Sequence, residues 1–579
     1  MLTYARNQHI PEYCGACWAF AVSGSLSDRI KILRNGAWPD IIISPQVLLS
    51  CDLENSGCSG GSPLRALKYI HENQITDDSC SPYRARGHLN GYQCSNTARC
   101  KDCPGNGDNC FVPDEYSVYG IEEYGQVIGE EAMKQEIFQR GPITCGISVP
   151  DSLLNDYTGG IYEDTTGDTN IDHEVSVVGY GQENGVEYWL VRNSWGTWWG
   201  EGGFFRVVRG KNNLMIESDC VFAVPKDTWT ENVKHKTTQE EKDDPNNETD
   251  NSHGGDTPEF LNLLHQNSEF LKNHSFKEVN HKCRRSDPRL SPGERIFTKT
   301  PWQLDLDSDH LPEQFDWRNV EGVNYASINK NQHIPKYCGS CWAHGTTSSL
   351  ADRFQILNGP NAIPISLSTQ VVVNCQPGGG SCFGGNPLDV YEFAYTHGIP
   401  DDTCQQYIAH NSEQPLCSAL QVCEDCLSPS PKEDEDGRIR CKPITNYKNY
   451  FVKEYGRVSG AHNMKMEIFK RGPIDCGIES TNQFHAYTGG VYREHKDSWE
   501  INHAIAVVGW GKENGEEYWI GRNSWGTYWG EGGYFRMKMH EDNNAIEQDC
   551  NWAVPSYENV STMNVDRINH SMESLIELY

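Results

Sequence analysis

The chain has 579 residues, 37% of them hydrophobic, with a formal net charge of −31 and 23 cysteines. That length implies more than one domain. The acidic balance leaves no basic stripe to neutralise phosphates, which excludes nucleic acid as a partner, and no apolar run approaches the ~18 residues of a membrane span.

In chain order, the first feature is Asn7-Gln8-His9-Ile10-Pro11-Glu12-Tyr13-Cys14-Gly15-Ala16-Cys17-Trp18-Ala19. It returns 324 residues later as Asn331-Gln332-His333-Ile334-Pro335-Lys336-Tyr337-Cys338-Gly339-Ser340-Cys341-Trp342-Ala343, with eleven of thirteen positions kept. A segment kept that well marks an internal repeat. Behind it, Trp18, Ala21, Val22, Ser25, Leu26, Arg29, Ile30 and Leu33 recur at helical spacing. Cys17, and Cys341 by repetition, is therefore expected at a helix N-terminus, where the macrodipole and free amides favour a thiolate. The loops Cys80–Cys110 and Cys404–Cys441 carry too little apolar content to hold together without bridges.

The later half of each repeat reads as strands broken by glycine turns: Ile143–Val149, Val175–Tyr180, Tyr188–Arg192 and Phe204–Val208, matched by Ile474–Ile478, Ile505–Trp510, Tyr518–Arg522 and Tyr534–Met537. The fold class expected is α+β: two tandem units, each a helical disulfide-rich lobe plus a β-rich lobe, with the site in the cleft between lobes. Unit 1 spans 1–225, unit 2 spans 311–556, and 557–579 form a tail. Residues 226–280 are acidic and poor in large apolar groups, and are expected to be a mostly disordered linker. Four sequons (Asn247, Asn273, Asn559, Asn569) fall in the linker or the tail and would be glycosylated in a secreted protein.

Each repeat carries eleven cysteines, and Cys283 stands alone between them. An odd cysteine in a disulfide-rich chain is intermolecular or reactive, and the setting of Cys17 and Cys341 favours reactivity. A nucleophilic cysteine needs a base, a group orienting that base, and donors for the oxyanion. Unit 1 offers His173 in Ile171-Asp172-His173-Glu174-Val175 and Asn193 in Arg192-Asn193-Ser194-Trp195-Gly196. Unit 2 offers His503 and Asn523 in matching contexts. A thioredoxin-like role for Cys14-Gly15-Ala16-Cys17 lacks the accompanying βαβ pattern. A zinc site at Cys100-x2-Cys103 or Cys423-x2-Cys426 lacks a second ligand pair nearby, so no metal and no cofactor is expected.

These words together resemble the papain-like cysteine proteases, over roughly residues 1–225 and 281–556. The His-Ile-Pro insertion between glutamine and cysteine pair resembles the cathepsin Z (cathepsin X) branch; the tandem arrangement departs from the usual single unit. The resemblance implies nucleophiles Cys17 and Cys341 in ion pairs with His173 and His503, oriented by Asn193 and Asn523. It implies oxyanion holes from Gln8 and Gln332 with the backbone N–H of each cysteine. Trp195 and Trp525 would shield the Asn–His pairs, and Gly61 and Gly385 would bind substrate backbone. His9 and His333 would receive the substrate's terminal carboxylate, making the reaction removal of single residues from peptide C-termini.

The resemblance also implies bridges Cys14–Cys58, Cys51–Cys94, Cys80–Cys100, Cys103–Cys110 and Cys145–Cys220. The second set is Cys338–Cys382, Cys375–Cys417, Cys404–Cys423, Cys426–Cys441 and Cys476–Cys550. Residues 281–310 resemble the branch's short propeptide, whose cysteine, here Cys283, would cap Cys341 as a reversible latency disulfide. The expected location is lysosomal or extracellular. Residues 1–20 hold no apolar signal-peptide core and unit 1 has no counterpart of 311–330, so the start of the chain is expected to be missing. The alternatives are an endopeptidase of the same fold, or a protein with one repeat inactive and serving as a binding module.

Overall fold

The computed structural model describes residues 1–105, 110–248, 283–285, 293–304, 311–412, 416–427, 440–559 and 561. It contains two α+β units. In the first, the helix Cys17–Leu33 runs behind the cleft, with helices Pro45–Cys51 and Pro63–Asn73 against it. The sheet orders its strands Gly120–Gln126, Cys220–Lys226, Ile143–Ile147, His173–Glu183, Val186–Arg192, Phe204–Val208 and Ile161–Tyr162. All pairs are antiparallel except the last. The second unit repeats this around the helix Cys341–Asn358, and the added strand Phe315–Asp316 pairs with His503–Glu513.

The helical periodicity of Cys17–Leu33 suggests one buried stripe, yet every residue from Trp18 to Ile30 is buried. The helix is wedged between the lobes, and its small residues let the sheet approach: a Cβ on Gly24 would stand 2.7 Å from the Arg192 guanidinium. Buried ion pairs tie the helix to the β lobe. Arg29 meets Glu136 at 2.8 Å and Arg192 meets Asp28 at 2.8 Å, echoed by Arg353–Glu467 at 3.0 Å and Arg522–Asp352 at 2.7 Å. Removing one partner of such a pair strands the other charge away from water, at a cost of about 3–5 kcal/mol.

The expected linker needs correcting at its start. Lys234–Lys236 pairs with Glu115–Ser117, and Thr238 caps the short helix Gln239–Lys242. The polar composition hid a strand that borrows its partner from unit 1. Residues 249–280, with Asn273, and 562–579, with Asn569, lie outside the described residues. Asn247 and Asn559 are described, and their side-chain amides donate to Glu241 O at 2.6 Å and Thr396 O at 3.3 Å.

The units pack with a reciprocal pattern. Thr197 Oγ1 donates to Asp401 Oδ2 at 2.7 Å, and Thr527 Oγ1 donates to Asp77 Oδ2 at 2.7 Å. The Thr197 N–H reaches Thr403 Oγ1 at 3.0 Å, and the Thr527 N–H reaches Ser79 Oγ at 2.9 Å. Equivalent residues thus exchange places across the contact, as in an isologous twofold interface.

Candidate active site

Cys17 and Cys341 open their units' longest helices. The backbone N–H after each cleft histidine reaches the sulfur; in unit 2, Ala504 N donates to Cys341 Sγ at 3.3 Å. His173 Nε2 donates to Asn193 Oδ1 at 2.8 Å, and His503 Nε2 to Asn523 Oδ1 at 2.9 Å. This leaves Nδ1 of each ring for the thiol. Trp195 lies against His173 with ring centroids 4.8 Å apart, and Trp525 against His503 at 5.0 Å.

Gln8 is fixed from both ends. Its Nε2 donates to Cys14 O at 3.0 Å, its Oε1 accepts from Ser194 Oγ at 2.7 Å, and its backbone N–H bonds Ser194 O at 2.8 Å. Gln332 repeats this with Cys338 O and Ser524. Gly61 and Gly385 pack on Trp18 and Trp342, where an added Cβ would come within 2.7 Å and 2.4 Å of the indole. Only glycine leaves room for that ring and a backbone together.

His9 stacks between Tyr13 at 5.2 Å and Trp195 at 6.4 Å, and His333 between Tyr337 at 5.5 Å and Trp525 at 5.9 Å. Each loop is held by an asparagine: Asn7 Oδ1 accepts from the His9 N–H, and Asn331 Oδ1 from the His333 N–H, both at 2.9 Å.

In unit 1 the structure joins Cys14–Cys58, Cys51–Cys94, Cys80–Cys100, Cys103–Cys110 and Cys145–Cys220. In unit 2 it joins Cys338–Cys382, Cys375–Cys417, Cys404–Cys423, Cys426–Cys441 and Cys476–Cys550. Cys283 is bonded to Cys341, and Cys17 is the free cysteine among the described residues. Residues 283–285 lie along Gly385: its N–H donates to Cys283 O at 3.1 Å, and its C=O accepts from Arg285 N at 2.8 Å. The Arg284 guanidinium is buried against Asp549 at 2.7 Å and Asp475 at 3.9 Å. Among the described residues, two clusters of three side chains come within metal-binding reach, Cys283/Cys341/His503 and Glu424/Cys426/Cys441. In both, the sulfurs are tied in disulfides and offer no thiolate.

A papain family cysteine protease model matches residues 1–224 and again 311–554. The chain belongs to the papain family of cysteine proteases. Over 256 residues it is 48% identical to the cathepsin Z of Onchocerca volvulus, covering 43% of this chain and 79% of that protein. It is 33% identical to cathepsin B-like cysteine proteinase 6 of Caenorhabditis elegans, covering 37% of this chain and 60% of that one. A procathepsin B from Trypanosoma congolense superposes with a TM-score of 0.37 and 25% identity, over 52% of this chain and 98% of that one.

Electrostatically the two papain-family clefts differ. Burial pushes the Cys17 thiol up to about 12, with the Glu174 carboxylate adding to it, while burial pulls His173 down to about 4. Each alone favours its neutral form. Proton transfer from sulfur to imidazole creates no net charge, however, and Cys17 keeps part of its surface in solvent. Burial pushes Glu174 itself up to about 8, helped by Asp219. Unit 2 has Ala504 in that place.

Sequence reasoning missed Glu174, the glutamine-holding Ser194 and Ser524, and two acids. Asp425 Oδ1 lies 3.3 Å from His9 Nδ1, and Asp102 Oδ1 lies 3.4 Å from His333 Nδ1. The signal was present: Cys100-Lys101-Asp102-Cys103 and Cys423-Glu424-Asp425-Cys426 repeat an aspartate inside a cysteine pair.

Proposed function

We propose that the chain is a cysteine-type carboxypeptidase that removes single residues from peptide C-termini. The observation that carries this reading is the His-Ile-Pro loop. It stacks His9 and His333 on Trp195 and Trp525, one ring away from the cleft imidazoles. A cationic donor there suits a terminal carboxylate through a charge-assisted hydrogen bond that an amidated end cannot form. The 48% identity to a protein named cathepsin Z supports the same reading.

The mechanism follows from the groups present. The thiolate of Cys17 attacks the last peptide carbonyl, and Gln8 Nε2 with the Cys17 N–H stabilises the oxyanion. His173, held by Asn193, hands its proton to the departing amino acid's nitrogen. It then takes a proton from the water that hydrolyses the thioester. Gly61 presents backbone to the substrate as Gly385 does to residues 283–285. Cys341, Gln332, His503 and Asn523 serve unit 2 in the same roles once Cys283 is removed from Cys341. Residues 281–310 act as a propeptide, and the disulfide-rich fold suits a lysosomal or extracellular setting.

Peptides with free and amidated C-termini, digested by the parent, Cys17→Ala and Cys341→Ala proteins and read by mass spectrometry, test the reading. One-residue trimming of free ends alone supports it. Internal cuts would assign an endopeptidase instead, and absence of turnover a binding protein.

A further inference from the structure

The histidine of each His-Ile-Pro loop is gripped by the other unit. His9 Nδ1 faces Asp425 of unit 2, and His333 Nδ1 faces Asp102 of unit 1. The two acids hold the same position in the repeat, each in a loop clamped by two disulfides: Cys80–Cys100 with Cys103–Cys110, and Cys404–Cys423 with Cys426–Cys441. A single crossing could be incidental packing; reciprocal crossing of equivalent residues is the geometry of a twofold interface.

The grip is nearly dry. The side chains of Asp102 and Asp425 are 2% and 7% exposed, and those of His333 and His9 are 6% and 15% exposed. A carboxylate that buried requires partners. Asp102 has His333, Asn331 Nδ2 at 3.1 Å and Tyr528 OH at 2.5 Å, all from unit 2. Burial pushes its carboxyl up, but the charge of His333 and these donors more than reverse this and hold it below the usual carboxylate range. Asp425 has His9, with Lys442 at 4.0 Å. The Cys426 N–H beside it donates to His9 O at 3.3 Å, so unit 2 holds both the ring and the backbone of the loop.

An acid on Nδ1 fixes the ring's orientation and leaves Nε2 as the nitrogen for a ligand, the role a buried aspartate plays toward a catalytic histidine. We propose that Asp425 and Asp102 are positioning residues acting in trans, each orienting the carboxylate-receiving histidine of the other unit, so that each cleft is completed by the second copy. This rests on the carboxypeptidase reading. It makes the chain a tethered dimer and gives the duplication a catalytic purpose.

The test uses the full chain with Cys341→Ala, which silences unit 2 and leaves Cys17 as the nucleophile. Adding Asp425→Asn is expected to raise KM for a free-carboxylate peptide about tenfold with kcat changed less than twofold. Asp425→Glu is expected to recover part of the loss. An unchanged KM, or equal loss in kcat, would overturn the proposal. If the Cys341→Ala protein never distinguishes free from amidated ends, the carboxypeptidase reading fails by itself. The grip is then read separately by diethylpyrocarbonate labelling of His9, mapped by mass spectrometry. Asp425→Asn should speed it severalfold, and an unchanged rate would show that no grip exists.

Discussion

Cys283 Sγ is bonded to Cys341 Sγ and also accepts the Cys341 backbone N–H at 2.8 Å. Gln332 Nε2 approaches the same sulfur at 3.8 Å. The capping sulfur therefore sits where the two proposed oxyanion donors converge, and on that proposal it blocks nucleophile and oxyanion hole together. Without reductant, iodoacetamide should label Cys17 and spare Cys341. A thiolate of a small reductant should attack Cys283 Sγ, breaking the Cys283–Cys341 bond to leave a mixed disulfide on Cys283 and Cys341 as a thiolate. A second reductant thiol then frees Cys283, and the reductant leaves as its own disulfide, having given two electrons to the protein sulfurs. Unit 2 activity should then appear, and Cys283→Ser should show it without reductant. Comparable labelling of Cys341 before reduction would sink the latency reading.

The glutamines make a second prediction. Gln8 and Gln332 are buried and held by Ser194 and Ser524, so their geometry is set before substrate arrives. Replacing Gln8 with Ala should lower kcat of unit 1 by a factor of about 100–1,000, the range for losing one oxyanion donor. KM should change little, because the donor acts mainly on the tetrahedral intermediate. Steady-state kinetics in the Cys341→Ala background would measure it, and a loss confined to KM would assign Gln8 to ground-state binding instead.

Why these groups could be read from sequence, and others not, follows from how local their signals are. Cys17, His173 and Asn193 each sit in a short word that recurs in the second repeat. The two-lobed α+β fold follows from the same duplication, because each repeat shows helical spacing first and strand runs later. The strand Gly120–Gln126 escaped because a register shift between Ile121 and Glu123 breaks its alternation against Cys220–Lys226. Lys234–Lys236 escaped because a polar segment becomes a strand only when Glu115–Ser117 is beside it. Asp102 and Asp425 gain their partners from opposite ends of the chain, where no local pattern operates.

Glu174 makes the clefts respond differently to pH. Burial, then Asp219, pushes its carboxyl up to about 8, so it is neutral below that pH and charged above. Its charge adds to burial in raising the Cys17 thiol, so above pH 8 it holds back thiolate formation. Glu174→Ala, which installs the residue of unit 2, should speed alkylation of Cys17 about threefold to tenfold at pH 9 and little at pH 6. Mass-spectrometric alkylation rates across that range would check it. An identical pH profile in parent and variant would show that the carboxylate does not reach the thiol.

The interface carries a pH dependence of its own. Asp78 lies half-buried near Arg6 and Asp402; loss of solvent around it, with Asp77 and Asp402, pushes its carboxyl up to about 7, against the pull of Arg6 and Lys330. A carboxyl raised on folding is held neutral by the fold. Its contribution is therefore fully present below the unfolded value near 3.8 and lost as pH rises towards 7. At about 1.4 kcal/mol per pH unit, the loss is on the order of 4 kcal/mol by neutrality. Asp78→Asn keeps the shape and removes the ionisation, so its thermal unfolding midpoint should fall less than the parent's between pH 5 and about 8. Midpoints that run parallel over this range would show that Asp78 stays charged in the folded protein, its cost already met by Arg6.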